Sequence, residues 1–295
     1  MNTLHWNLAL PPGYRQAEVL AFHGRDVEGV AEQVAPGRLR KGILHHGLPV
    51  LLEVDFTASE ALCRAGIDGP VTDGLQDALH GVLLNILGLR IAPEPFAQLV
   101  AGDPLMGPLA RANGSLRIVQ SATPFEALTW AIIGQQINLP FAIALRRTFI
   151  LQAGRRHSGG LWCYPEARDV ARLAPEELTS RKFSRAKAET LLRLAALVDE
   201  GALSLELPAS GEVTAVSQAL LNVKGIGPWT VNYALLRGYG YADCSLHGDV
   251  AIRAALQKLL QEDSKPDMAR TEQWLRQYAP HRTMAAAHLW ASLQG

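Results

Sequence analysis

An α+β fold, mostly α-helical with a small antiparallel sheet near the N-terminus, is predicted for this 295-residue chain by three observations. Val50 to Phe56 alternates in apolar character behind a Gly-containing turn, the pattern of a half-buried strand. From about residue 120 onward, apolar residues recur almost wholly at helical spacing. Short connections containing Gly or Pro separate those helical stretches. At roughly 100–200 residues per domain the length suits two modest cores. We expect a mixed α/β unit over 1–110 and a helical region over 111–295. A composition 48% hydrophobic and 19% charged excludes disorder.

In chain order, Ala17 to Ala21 is apolar apart from Glu18. Gly42-Ile43-Leu44 and Val50 to Phe56 flank His45-His46-Gly47 and read as a β-hairpin. His45 and His46 are a candidate metal pair, but neighbours on a strand point to opposite faces, which favours a turn role. Leu75 to Leu89 has helical spacing. Thr123-Pro124-Phe125-Glu126 is a helix start with Pro just inside the cap, and Phe125 to Ile137 continues it. Further helices are expected at about 140–152, 166–173, 185–199, 212–222, 228–237, 249–261, 268–278 and 282–293. No repeat of 20–50 residues is visible, which excludes a solenoid.

The 28 Lys+Arg cancel the 28 Asp+Glu. Taken whole, that weighs against a nucleic-acid binder. By region the balance differs: 1–110 holds 7 basic and 12 acidic residues, a net of −5, and 111–295 holds 21 and 16, a net of +5. Clusters at Arg146-Arg147, Arg155-Arg156 and Arg181-Lys182-Phe183-Ser184-Arg185-Ala186-Lys187 point either to solvated helix faces or to an anionic partner. Ser184 and Lys187 also have the SxxK spacing of acyl-transfer enzymes, whose SDN and KTG companions are absent.

Cys63, Cys163 and Cys244 lie far apart with no CxxC pair, so neither zinc nor an iron–sulfur cluster is expected. They read as ordinary thiols in a reducing compartment. The N-terminus lacks a basic segment leading into an apolar run, and no stretch of about 18 apolar residues occurs. A cytoplasmic protein without a membrane partner is expected.

The chemistry concentrates in Leu220 to Tyr233. A helix ends, Gly225 and Gly227 allow a tight hairpin, and Pro228 opens a second helix where its missing donor costs nothing. Amides near Gly225, Ile226 and Gly227, at a positive helix N-terminus, would then be free to hold an anion. A plain helix–helix turn is the alternative. A dinucleotide fingerprint is excluded, because the third glycine is missing and a helix, not a strand, precedes. Asp249 follows 24 residues after Gly225 at a helix start, where it is either an N-cap or something more.

This hairpin, followed by a Gly-containing loop and an aspartate, resembles the helix-hairpin-helix superfamily of DNA base-excision glycosylases, most closely its DNA-3-methyladenine glycosylase II branch. Phe125 to Asn138 is similar to that branch's early helix and Ala279 to Trp290 to its final one. The resemblance implies two helical subdomains flanking a lesion cleft, with the hairpin at 220–233, and a monomer acting on double-stranded DNA that contains damaged bases. It implies Asp249 as the catalytic carboxylate, Trp229 and Tyr233 as base-pocket aromatics, and Phe22 and His281 as further pocket residues. His281 stands where the branch commonly has an aromatic residue. Gln136 takes the position of the side chain that fills the gap left by a flipped nucleotide. Gly225, Ile226, Gly227, Lys224 and Thr230 would meet DNA phosphate. A structural monovalent cation is implied on the carbonyls of Leu221, Val223 and Ile226, with no other cofactor.

Bifunctional members place a Schiff-base lysine where this chain has Trp229, so a monofunctional hydrolytic enzyme is expected. Two alternatives remain: a glycosylase/lyase using another lysine, and a non-catalytic DNA-binding protein in which Asp249 only caps its helix.

Overall fold

A computed structural model describes residues 2–207 and 211–293. Strand β1 (Asn2–Ala9) and helix α1 (Gln16–His23) precede four successive strands, β2 (Glu32–Ala35), β3 (Arg38–His45), β4 (Leu48–Phe56) and β5 (Glu60–Ile67). They form one antiparallel five-stranded sheet in the order β1-β5-β4-β3-β2. The expected hairpin is β3–β4, with His45 paired to Leu48 and the turn made by His46 and Gly47 at φ 48° and 79°. The two imidazoles meet each other edge-on. Among the described residues no group of three His, Cys, Asp or Glu side chains is placed to hold a metal ion.

Leu39, Val50, Leu52, Val54, Ala65 and Ile67 share a core with Leu75, Leu79, Leu83 and Ile86 of α2 (Leu75–Ile86). The spacing of those four α2 residues puts them on one helix face, so sheet and helix close a two-layer unit. Helices α3 (Glu94–Leu99) and α4 (Met106–Ala112) follow, in a stretch where no helix was expected. Phe96, Met106 and Ala110, with Ile91 and Val100, belong to the helical core instead. The two cores interleave on both sides of the expected boundary at 110: Ala31 packs in the helical core, and Val119 and Ala122 pack in the sheet core.

The rest is helical: α5 (Pro124–Gly134), α6 (Leu139–Ala153), the short strands β6 (Arg155–Arg156) and β7 (Trp162–Cys163), then α7 (Ala167–Val170), α8 (Pro175–Thr179), α9 (Arg185–Asp199), α10 (Thr214–Leu221), α11 (Pro228–Gly238), α12 (Val250–Leu260), α13 (Met268–Arg276) and α14 (Arg282–Ala291). Helix α5 is the axis of this region, buried continuously from Phe125 to Ile133. Thr123 caps it, its hydroxyl accepting the Glu126 N–H at 3.1 Å. Helix α11 lies close along α5: a Cβ on Gly238 would sit 2.8 Å from the Pro124 Cα. No helix among the described residues is long and apolar enough to cross a membrane. All three cysteines are free and buried, which pushes each thiol up to about 12.

Two of the three basic clusters serve the interior. Arg146 bridges Glu32 and Glu126 at 2.9 and 2.8 Å, and Lys41 joins the same two carboxylates at 2.5 and 2.8 Å. Arg147 pairs with Asp26, and Arg155 with Asp169. Glu32 and Asp26 lie 114 and 121 residues away, so Arg146 and Arg147 tie the sheet unit to α6, and side chains that could have been solvated or anion-facing neutralise internal carboxylates instead. In the third cluster Lys187 donates to the Ile133 carbonyl at 2.6 Å, capping α5, while Arg181, Lys182 and Arg185 are exposed.

Candidate DNA-repair site

Helix α10 ends at Leu221 and the chain reverses at Gly225, whose φ of 97° is a conformation that favours glycine. Glycine is also needed for space, since a Cβ there would lie 2.1 Å from Thr190 Oγ1 on α9. The Ile226 N–H closes the turn on the Val223 carbonyl at 3.0 Å, so this amide, expected to be free for an anion, is spent internally. Gly225 and Gly227 have no backbone acceptor among the described residues. Gly227 caps α11 and Pro228 opens it, so those two amides lie at a positive helix terminus.

Thr230, expected at phosphate, is buried, and its hydroxyl accepts from Gln135 Nε2 at 3.0 Å. The same nitrogen donates to the Gly225 carbonyl at 3.2 Å. Gln135 and Thr230 thus clamp the hairpin to the end of α5, which removes the Thr230 side chain from the phosphate set. Lys224 is exposed and its carbonyl is held by Arg193 at 3.1 Å.

Asp249 is the N-cap of α12, and Oδ1 accepts the N–H groups of Ala251 and Ile252 at 2.9 and 3.0 Å. The capping alternative is therefore realised, but it does not exhaust the residue. Trp290 Nε1 donates to Oδ1 at 3.2 Å and Trp229 Nε1 to Oδ2 at 3.1 Å. All four donors are neutral, and no Lys or Arg forms an ion pair with Asp249 among the described residues. The negative charge is positioned and left uncompensated. Asp249 opens on a groove of about 670 Å³ shared with Gln136, Gly227 and Trp229. Gln136 is exposed in the α5–α6 connection at φ 56°, a left-handed backbone in a non-glycine residue. No lysine lines this groove among the described residues.

Behind Asp249 the contacts run in a closed circuit. The Trp229 and Tyr233 rings, one turn apart on α11, have centroids 5.3 Å apart. The Tyr233 hydroxyl accepts from Trp130 Nε1 of α5 at 2.9 Å. The Arg25 guanidinium sits 5.5 Å from the Trp130 ring centroid and 3.9 Å from that of Phe22. Arg237 lies 5.0 Å from the Phe22 centroid and 5.9 Å from that of Trp290, which leads back to Asp249. Burial lowers the pKa of both arginines, with Tyr233 opposing the shift.

Phe22 is thus brought to the site, but two guanidiniums lie over its ring where a cationic base was expected. His281 is half-buried at the start of α14, donating its amide to the Tyr278 carbonyl at 2.7 Å. It is absent from the lining of the Asp249 groove. Trp130, Arg25, Arg237 and the Trp290 donor were not singled out from sequence. The available signal was that a half-buried Trp needs an acceptor for its N–H.

A family model described as "HhH-GPD superfamily base excision DNA repair protein" matches residues 129–281. The DNA-3-methyladenine glycosylase of Bacillus subtilis is 30% identical over 202 residues, 68% of this chain and 67% of its own length. DNA-3-methyladenine glycosylase 2 of Escherichia coli is 28% identical over 195 residues, 65% of each chain. The alignments thus span about two thirds of these curated relatives. The solved 3-methyladenine DNA-glycosylase from Archaeoglobus fulgidus shares the fold, with a TM-score of 0.81 over 98% of both chains at 21% identity. The Schizosaccharomyces pombe Mag1 structure, in complex with abasic DNA, has a TM-score of 0.58 over 68% of this chain and 97% of its own, at 21% identity. With its glycine hairpin, its capped aspartate and more than half of its length matched, the chain belongs to the HhH-GPD superfamily of base excision DNA repair proteins.

Proposed function

We propose that the protein is a monofunctional DNA glycosylase that hydrolyses the N-glycosidic bond of alkylated bases, 3-methyladenine-type lesions among them, in double-stranded DNA. The observation that carries this reading is the Asp249 carboxylate, held by four neutral donors, free of a cationic partner and open to a groove beside the hairpin. Cleavage develops positive charge at the sugar C1′, and a carboxylate in a site that excludes water lowers that barrier electrostatically. Water adds to C1′ while the bonding electron pair leaves with the base nitrogen. The relatives named DNA-3-methyladenine glycosylases support the substrate class.

A base stacked in duplex DNA cannot reach Asp249, so the nucleotide must be flipped out at a cost of a few kcal/mol. In this reading Gln136 fills the vacated space, and the Gly225 and Gly227 amides with Lys224 hold the backbone. Trp229 and Tyr233 receive the base, and His281, which starts α14 outside the lining of the Asp249 groove, is a further candidate to meet it. The carbonyls of Leu221, Val223 and Ile226 suit a monovalent cation: Val223 spends one lone pair on Ile226, and the other two have no backbone donor from outside the helices among the described residues. The protein acts as a monomer in the cytoplasm with access to the nucleoid.

The test is incubation with oligonucleotides carrying single defined lesions, with chromatography of released base and borohydride trapping in parallel. Release of alkylated base with no covalent adduct is the expected result. A robust adduct would establish the lyase alternative, and DNA binding without base release would establish the non-catalytic one.

A further inference from the structure

Neither Arg25 nor Arg237, the two cations of the Asp249 circuit, forms an ion pair among the described residues. Arg25 donates through Nε to the Phe22 carbonyl at 2.7 Å, and its two terminal nitrogens have no acceptor among the described residues. Arg237 donates to the Val119 carbonyl, and its buried Nε has no partner. Both line a cavity of about 650 Å³ together with Phe22. Buried charge without a carboxylate is costly to a fold. Arg146, by contrast, is doubly paired, to Glu32 and Glu126.

The cavity does not itself reach Asp249; Arg237 is linked to it through the Trp290 ring, 5.9 Å away, whose N–H bonds the carboxylate, so donors left free there face a base that enters between Trp290 and Phe22 and select for an acceptor on it. The same lining holds Glu18, whose carboxylate Arg15 engages at 2.8 Å, and a third cation, Arg117, so a base with a fixed positive charge near Phe22 meets a net excess of guanidiniums and is repelled. A neutral base with a ring carbonyl accepts a charge-assisted hydrogen bond. The bond strengthens as the C1′–N bond breaks, because the bonding electrons pass to the base and its carbonyl oxygen takes up part of the negative charge.

We propose that Arg25 and Arg237 form a carbonyl-reading, anion-stabilising wall of the base pocket, so that neutral lesion bases carrying a ring carbonyl are favoured over lesion bases carrying a fixed positive charge. The proposal rests on the glycosylase reading above and ranks lesions within it. Single-turnover release of hypoxanthine, neutral with a carbonyl, is compared with release of 3-methyladenine, cationic without one. The comparison uses the wild-type protein, Arg25→Gln, Arg237→Gln and Arg237→Lys. We expect wild type to release hypoxanthine, and each Gln variant to lose at least about tenfold more rate on hypoxanthine than on 3-methyladenine. Arg237→Lys should recover part of that loss. The one hydrogen bond of Arg25 stays within its own turn and its tertiary contact is a ring face of Trp130, so its variant, checked by melting temperature, separates a pocket role from a folding defect at Arg237. Equal losses on both bases would overturn the proposal, as would wild-type release of 3-methyladenine alone. Release of neither base would overturn the glycosylase reading itself.

Discussion

Trp290, on the last helix, donates its indole N–H to Asp249 Oδ1 across 41 residues of sequence at 3.2 Å. The bond ties the carboxylate to α14 as well as to its own helix α12, so the two helices jointly hold the charge. Trp290→Phe retains the ring and removes the donor. A hydrogen bond to a charged group contributes about 1.5–3 kcal/mol. We expect single-turnover base release to fall at least about tenfold, with the melting transition little changed. Trp229→Phe should behave alike, and the double variant should lose less than the sum, since both donors act on one carboxylate.

Gly225→Ala should destabilise the protein by about 2–4 kcal/mol in denaturant unfolding, from left-handed backbone strain plus overpacking. DNA binding should weaken with it. The offending contact is Thr190 Oγ1, so adding Thr190→Ala should recover the packing part but not the backbone part.

Gln136→Gly should act on stability and activity in opposite directions. Relief of the positive φ should raise unfolding stability by about 0.5–1 kcal/mol. Loss of the side chain that shares the groove with Asp249 should slow base release from a paired lesion, and less so from a lesion in single-stranded DNA, where no gap is left to fill.

The buried cluster between the sheet and α5 sets an acid limit. Burial opposes ionisation of Glu32 and Glu126, but Arg146 and Lys41 outweigh it and hold both carboxyls below their ordinary value of 4.5, Glu32 the further. His23 also faces Glu32, at 3.3 Å. Folded-state values below the unfolded ones mean that the stability is fully present above about pH 4.5 and is lost as pH falls through the lowered values. Melting temperature should therefore drop steeply on acidification below pH 4.5. Lys41→Met, which leaves two carboxylates on one arginine, should cost about 3–5 kcal/mol and shift the acid transition upward in pH.

Local signals carried most of what was legible in the sequence. The β3–β4 hairpin, the cap at Thr123, the glycine turn at Gly225 and the helix starting at Asp249 each depend on a few neighbouring residues whose chemistry has one cheap solution. Long-range pairing was not legible. The Arg146 cluster read as a possible anion surface because Glu32, 114 residues away, is nothing in the sequence until β2 and α6 meet. Ile226 was expected to offer a free amide because the turn bond to Val223 follows from φ values, not residue types. Trp130, Arg25, Arg237 and Trp290 come from four different segments, and only the packing of α5, α11 and α14 around Phe22 and the turn after α1 assembles them.

The most direct test of the central claim is single-turnover release of an alkylated base by Asp249→Asn. Asn is a good N-cap and its Oδ1 still accepts the α12 amides, so folding and DNA binding should persist. Removal of the charge alone is predicted to slow base release at least about a hundredfold, the scale of losing one electrostatic stabiliser of a transition state. Release at the wild-type rate would contradict the account and leave Asp249 as a helix cap.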